Sequence, residues 1–279
     1  MKSKKITFHV PGFIYELLKA DIEKYKITQG ALCNKIFKTF HDNYKEWDFE
    51  SNLEKPIHFQ LNPKNFSLFK KITEDKKIQS NISKYFRNLA VTYLDNKPYH
   101  RERIIYKKNL DKIFEAIENR KKISIEYKNE KRILEPYLIK TTKEELFNYV
   151  LSWCETHKEY RNYRLSNFTV NYVKNESWDN YDKSKVESFS ENFDPFLSQG
   201  KIVKVKFTKK GKDLFENVIF YNRPEVIEKK DKIYTLQCSL EKAKAYFASF
   251  FDEVEILEPQ KIRNYFGKKY SKLSEIYQE

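Results

Sequence analysis

Hydrophobic and polar positions alternate twice near the start of the chain in the same way. In Lys5-Ile-Thr-Phe-His-Val-Pro11, Ile6, Phe8 and Val10 share one side, and Thr7 and His9 the other. In Lys55-Pro-Ile-His-Phe-Gln-Leu-Asn-Pro63, Ile57, Phe59 and Leu61 share one side, and His58 and Gln60 the other. Period-two alternation predicts a half-buried strand at each place. Helical spacing follows each strand. Ile14, Leu18, Ile22 and Tyr25 mark the first helix of copy one, and Phe66, Phe69 and Ile72 that of copy two. After short breaks, Leu32, Ile36 and Phe40, and then Ile82, Phe86, Leu89 and Tyr93, predict second helices, with Thr28 and Ser80 as N-caps. Residues 1–50 and 51–100 thus read as two copies of one strand–helix–helix unit. A lone strand has an unpaired edge, so each must pair antiparallel with another, either the two copies of one chain as a pseudo-dimer or copies from two chains.

The pattern then changes. Leu110, Ile113, Phe114 and Ile117 mark the apolar face of a further helix. Short strands follow at Ile123–Tyr127, Arg132–Ile139, Glu145–Trp153 and Tyr160–Leu165. In the third of these, Phe147, Tyr149, Leu151 and Trp153 lie on one face, with Val150 and Cys154 on the other, so both faces are expected to be covered. Asn171 to Pro195 is polar with interspersed aromatics and reads as a long excursion that packs down. Residues 201–279 read β-α-β-α-β-α, with strands at Lys201–Phe207, Tyr234–Cys238 and Val254–Leu257. The last helix is strongly amphipathic through Ile262, Tyr265, Phe266, Tyr270 and Leu273.

Charge changes the picture. The net charge is +14 over 279 residues, and it is uneven: about +8 in residues 1–103, +1 in 104–198 and +5 in 199–279. A basic end beside a neutral middle points to a polyanionic partner; a lysine-rich composition is the plainer explanation. Arg101, Arg103, Lys107 and Lys108 form a basic cluster ahead of the central strands, either a phosphate path or a solvated helix face. Three isolated cysteines without a CxxC fit a reduced, cytoplasmic setting. No apolar run reaches the ~18–20 residues of a membrane span. Five glycines build no phosphate loop, and no GxSxG, HExxH or paired CxxC occurs. Cys154-x-x-His157 has ligand spacing but no second pair. The expectation is a protein without catalytic activity, metal or cofactor.

Tyr127, the Glu135-Pro136 step and Arg161-x-Tyr163-Arg164-Leu165, in this order after a helix, resemble a WYL domain over residues 104–175. The family's name tripeptide falls on Asn148-Tyr149-Val150, keeping only the tyrosine, and an arginine usual in the family is Asn167 here. The resemblance implies an Sm-like β-barrel that binds a small ligand or a single strand of nucleic acid. Carried over, its site is Tyr149, Arg161 and Arg164, joined by Lys140, Trp153 and Tyr163. Arg161 and Tyr163 share a strand face that Arg164 does not. The alternative is that Tyr149 and Trp153 are core and the arginines pair with nearby glutamates. The two N-terminal copies resemble ribbon-helix-helix units. That resemblance implies a ribbon reading duplex DNA through Lys5, Thr7, His9, His58 and Gln60, with Thr28 and Ser80 near phosphates; such units also serve purely as dimerisation modules. The C-terminal part resembles the ferredoxin-like module that often follows WYL domains.

The expected fold is therefore multidomain α+β: ribbon-helix-helix copies at 1–50 and 51–100, a linker helix and Sm-like WYL barrel at 101–195, and a ferredoxin-like module at 196–279. Together the parts are similar to the WYL accessory proteins of type VI-D CRISPR systems. This implies a non-catalytic homodimer that binds single-stranded RNA and stimulates an RNA-guided RNase. The alternative is a transcriptional regulator reading duplex DNA through its ribbon and sensing a ligand through its WYL domain. A third reading is an assembly module whose charge serves solubility.

Overall fold

In the computed structural model, the described residues are 4–48, 53–73, 78, 81–142, 146–191 and 193–278. They form two compact units, residues 1–180 and 181–279. Among them no helix is long and apolar enough to cross a membrane.

The first unit opens with a two-stranded antiparallel ribbon, β1 (Lys4–Val10) and β2 (Lys55–Leu61), in a register that sets Thr7 opposite His58. The pairing lies within one chain and supplies each strand with the partner it lacks alone. The inward residues Ile6, Phe8, Val10, Ile57, Phe59 and Leu61 are all buried. Around them stand α1 (Gly12–Tyr25), α2 (Gln29–Phe40), α3 (Pro63–Thr73) and α4 (Ile82–Leu94). The Phe86 ring of α4 is central, with ring centroids 6.0 Å from Phe8, 5.4 Å from Phe59, 5.7 Å from Phe37 and 5.8 Å from Phe69. Four aromatic contacts on one ring knit both strands and both copies into one core. Thr28 caps α2, its hydroxyl accepting from the Ala31 amide. The matching cap of α4 is Asn81, whose side-chain oxygen accepts from the Lys84 amide at 2.8 Å. Ser80, expected in that role, lies outside the described residues.

Two short helices, α5 (Pro98–Ile105) and α6 (Lys107–Glu118), lead to a five-stranded antiparallel sheet. Its strands are β3 (Lys121–Tyr127), β4 (Glu130–Thr141), β5 (Asn148–Cys154), β6 (Glu159–Arg164) and β7 (Phe168–Ser177), in the order β6-β5-β4-β3-β7. Leu110, Ile113 and Ala116 of α6 pack on one face with Ile123, Ile125, Leu134, Val150 and Leu165. Asn109 fixes the helix to β7, donating to the Phe168 carbonyl and accepting from the Val170 amide. Phe114, expected in this core, is instead 49% exposed.

The expected barrel does not close. After the single turn Leu165–Asn167 the chain crosses to pair β7 with β3, and no β6–β7 pairing occurs among the described residues. Bulges between Pro136 and Leu138 and within β3 bend the sheet without joining its edges. Nor is Asn171–Pro195 one excursion. Its first part is the body of β7, and the rest divides between the two units.

The second face of the sheet carries a buried ion cluster. Glu135 is fully buried and accepts from the Asp179 and Asn180 amides, the Asn180 side chain and the Tyr137 hydroxyl. Lys122 lies 3.8 Å from Glu135 and donates to Glu155 at 2.5 Å and Asp179 at 2.6 Å. These hydrogen bonds, to Asp179 first and Glu155 next, hold its ammonium above the ordinary lysine range. The three carboxylates are close enough to hold a metal ion, but the ammonium already stands among them. The indole N–H of Trp178 donates to the Lys121 carbonyl beside this cluster.

The second unit holds α7 (Lys183–Glu191) and then β8 (Ile202–Phe207), α8 (Lys209–Asp213), β9 (Glu225–Lys230), β10 (Ile233–Gln237), α9 (Leu240–Phe247), β11 (Val254–Glu258) and α10 (Gln260–Gln278). The antiparallel order β11-β8-β10-β9 with βαββαβ connections is the ferredoxin-like arrangement. Sequence periodicity missed β9 because all six of its side chains are exposed, which leaves no apolar alternation to detect. At Gly211 a Cβ would lie 1.9 Å from the Glu253 carbonyl oxygen, so this close approach requires glycine.

Lys122→Met removes the cation that lies 3.8 Å from the fully buried Glu135 and should destabilise the first unit by about 3–5 kcal/mol. Urea denaturation of the full chain measures this; a loss below about 1 kcal/mol would mean that the cluster is solvated in the folded protein.

Candidate nucleic-acid interface

The face of the sheet opposite α6 holds a row of three side chains set by strand register. Lys140 of β4 is opposite Tyr149 of β5, and Tyr149 is opposite Arg164 of β6. Directly opposed residues in antiparallel strands project to the same side, so a cation, an aromatic ring and a second cation stand side by side, each half-buried. The guanidinium of Arg164 stacks on the Phe147 ring, 3.3 Å from its centroid, and the Lys24 ammonium of α1 lies 4.7 Å from the same ring. Burial lowers the affinity of Lys24 for its proton, the nearby Asp21 charge opposes this, and the Arg164 charge adds to it.

The row is anchored by a carboxylate that nothing in its sequence setting announces. Glu102 of α5 is fully buried. Its Oε2 accepts from the Asn148 amide at 2.6 Å and from Asn148 Nδ2 at 2.8 Å. Asn148 also donates to the Tyr99 carbonyl and accepts from Arg103 Nε at 2.7 Å. The first residue of β5 is thus bonded to three positions of α5. Glu102 Oε1 has no hydrogen-bond partner and lies 3.9 Å from Arg164 Nε, so it holds that guanidinium by charge alone. In the sequence, Glu102 is flanked by Arg101 and Arg103 and reads as part of a solvated helix.

Residues 108–170 match the family model of the WYL domain. This segment is a WYL domain. The cross-strand row of Lys140, Tyr149 and Arg164 lies within the matched segment. No curated protein matches the chain by sequence. Among solved structures, a crystal structure of a CRISPR Cas-related protein superposes with a TM-score of 0.67 at 17% identity, covering 100% of this chain and 95% of that one. At that identity the likeness is one of fold. Proteasome accessory factor B/C of Arthrobacter aurescens also matches, with 16% identity and a TM-score of 0.27, over 57% of this chain and 25% of that one.

The WYL domain separates the residues expected to act together. Arg161 lies opposite Ser152 on the other face and donates to Glu159 at 2.7 Å. Tyr163 is 3% exposed, packed edge-on between Tyr127 and Phe168. A buried ring offers no stacking surface, so Tyr163 belongs to the core and not to a binding face. Trp153 shares the face of Tyr149 but stands one strand turn beyond Leu151, edge-on to Tyr160 at 5.3 Å. There it joins the aromatic group of Tyr137, Tyr160 and Trp178 above the Glu135 cluster. Cys154 Sγ and His157 Nδ1 are 3.5 Å apart, and the thiol is buried.

In the N-terminal ribbon, Lys5, Thr7, His9, His58 and Gln60 are all exposed on the outward face. Thr7 and His58 hydrogen-bond to each other at 3.0 Å. Thr28 stands exposed at the start of α2, its hydroxyl already used by the Ala31 amide. The basic cluster of the sequence disperses. Arg101 pairs with the buried Asp21, which also accepts from the Tyr93 hydroxyl, Arg103 serves Asn148, and Lys107 pairs with Asp111 at 3.3 Å.

Glu102→Ala should cost roughly 2–4 kcal/mol, since it leaves the Asn148 backbone amide and one of its two side-chain N–H groups buried without an acceptor, the Tyr99 carbonyl keeping the other. The exposed Glu118→Ala on the next helix should change stability by less than about 0.5 kcal/mol. Denaturant midpoints of the two variants distinguish an anchoring carboxylate from an incidental one.

Proposed function

We propose that this chain is a non-catalytic, CRISPR-associated WYL accessory protein that binds single-stranded RNA and stimulates an RNA-guided RNase, working as a homodimer. The observation that carries the reading is the Lys140–Tyr149–Arg164 row. An aromatic ring flanked by cations suits a single strand, whose bases can stack on the ring while the phosphates meet the flanking charges. Arg164 is held in place by Phe147 and Glu102 before any ligand arrives, which lowers the ordering cost of binding. The WYL domain and the fold shared with a CRISPR Cas-related protein support the setting. The net charge of +14 supports a polyanionic partner.

Fluorescence anisotropy against single-stranded RNA, single-stranded DNA and duplex DNA of equal length tests the reading. Tyr149→Ala with Arg164→Ala should weaken single-strand RNA binding by about 10- to 100-fold. Thr7→Ala with His9→Ala should leave it within about twofold. Preference for duplex DNA, abolished by the ribbon changes, would instead make the chain a transcriptional regulator. Cleavage by the RNase with and without the chain tests stimulation, and sedimentation tests the homodimer.

Salt dependence gives an independent check. Each phosphate contact on a single strand contributes about −0.7 to the slope of log affinity against log salt. Lys140→Ala should make the measured slope shallower by about that amount; an unchanged slope would remove Lys140 from the phosphate path.

A further inference from the structure

The end of α2 and the start of α6 enclose a cleft that the WYL row does not use. Its volume is about 440 Å³, within the roughly 300–1,000 Å³ of small-molecule sites. Three cations line it, Lys38 from α2, Arg103 from α5 and Lys107 from α6, against one carboxylate, Asp111, already paired with Lys107. Thr39 adds a hydroxyl. Beside the cleft, Lys35 donates to the Ile105 carbonyl at 2.7 Å, and its ammonium loses proton affinity first through burial and then through the like charges of Lys108 and Lys38. Positive charge is therefore concentrated here beyond what the local carboxylate neutralises.

The apolar part of the lining has its own peculiarity. Phe114 sits on the helix face that its spacing assigns to the core, yet it is 49% exposed and lines this cleft with Ile104 and Leu110. A half-exposed ring at the border of the buried helix face, on the exposed stripe of Lys107, Asp111 and Glu118, next to cations and a hydroxyl in a concave site, matches a ligand with a flat aromatic part and an anionic part. We propose that this cleft binds a nucleotide, with its base against Phe114 and its phosphate among Lys38, Arg103 and Lys107. The nucleotide is either free or one unit of a single strand. The site stands apart from the WYL row in its side chains, and a free nucleotide would occupy it whether or not the row binds RNA.

Titration calorimetry of the full chain tests this with uridine and adenosine 5′-monophosphates, the corresponding nucleosides, inorganic phosphate, an eight-nucleotide RNA and hexaglutamate. The variants are Phe114→Ala and Lys38→Ala with Lys107→Ala, all at exposed positions, with melting temperatures confirming the fold. For a free nucleotide, a monophosphate should bind more tightly than its nucleoside or phosphate alone, and each variant should weaken it about tenfold. Tyr149→Ala with Arg164→Ala should leave that binding unchanged, which separates this site from the row. For a unit of a strand, the monophosphates stay weak, but both variants lower octamer affinity by a similar factor in the Tyr149→Ala, Arg164→Ala background. If neither variant alters monophosphate or octamer binding, or if hexaglutamate binds in preference to every nucleotide, the proposal is wrong.

Discussion

A buried carboxylate must find donors, and the position of β5 follows from where Glu102 finds them. The amide and side chain of Asn148 supply two hydrogen bonds to one oxygen, and Arg164 supplies charge to the other. Desolvating a carboxylate this fully costs several kcal/mol unless such partners are in place, so α5 and the first residue of β5 cannot separate without exposing an unmet charge. Through that joint the helical N-terminal part and the WYL sheet of the first unit share one set of polar contacts. The orientation of Arg164, and with it the Lys140–Tyr149–Arg164 row, is a consequence.

The same logic recurs on the far end of the sheet and in the helical part. Glu135 collects two amides, an amide side chain and a tyrosine hydroxyl, with Lys122 beside it. Asp21 collects the Tyr93 hydroxyl and the Arg101 guanidinium. Each site turns a costly buried charge into a directional clamp between segments distant in sequence. Apolar packing around Phe86 or Ile113 fixes which faces are buried. Hydrogen-bonded charges fix register, and register is what places a cation on each side of Tyr149.

Arginines that look alike in sequence divide their labour on this scaffold. Arg101 is consumed by Asp21 and Arg103 by Asn148, although the latter also faces the α2–α6 cleft. Arg161 and Arg164 are three residues apart and lie on opposite faces of β6 because a strand has period two. Only Arg164 meets the tyrosine. A cluster of positive charge in the sequence thus becomes two separate basic features and several structural ion pairs.

Periodicity alone determined the strand–helix–helix repeat, the helix before the sheet, most strands of the WYL domain and the α+β character of the C-terminal part. These signals are local, since burial on one face writes itself into spacing of two or about 3.6. The pairing of Tyr149 with Arg164 was legible as composition but not as contact. The tertiary structure decided what spacing does not record: the crossing of β7 to β3 that leaves the sheet open, the exposed edge strand β9, the burial of Tyr163, the exposure of Phe114, and the role of Glu102. Each depends on which segments meet, and a side chain carries no local mark of the partner that will cover it or the donor that will satisfy it.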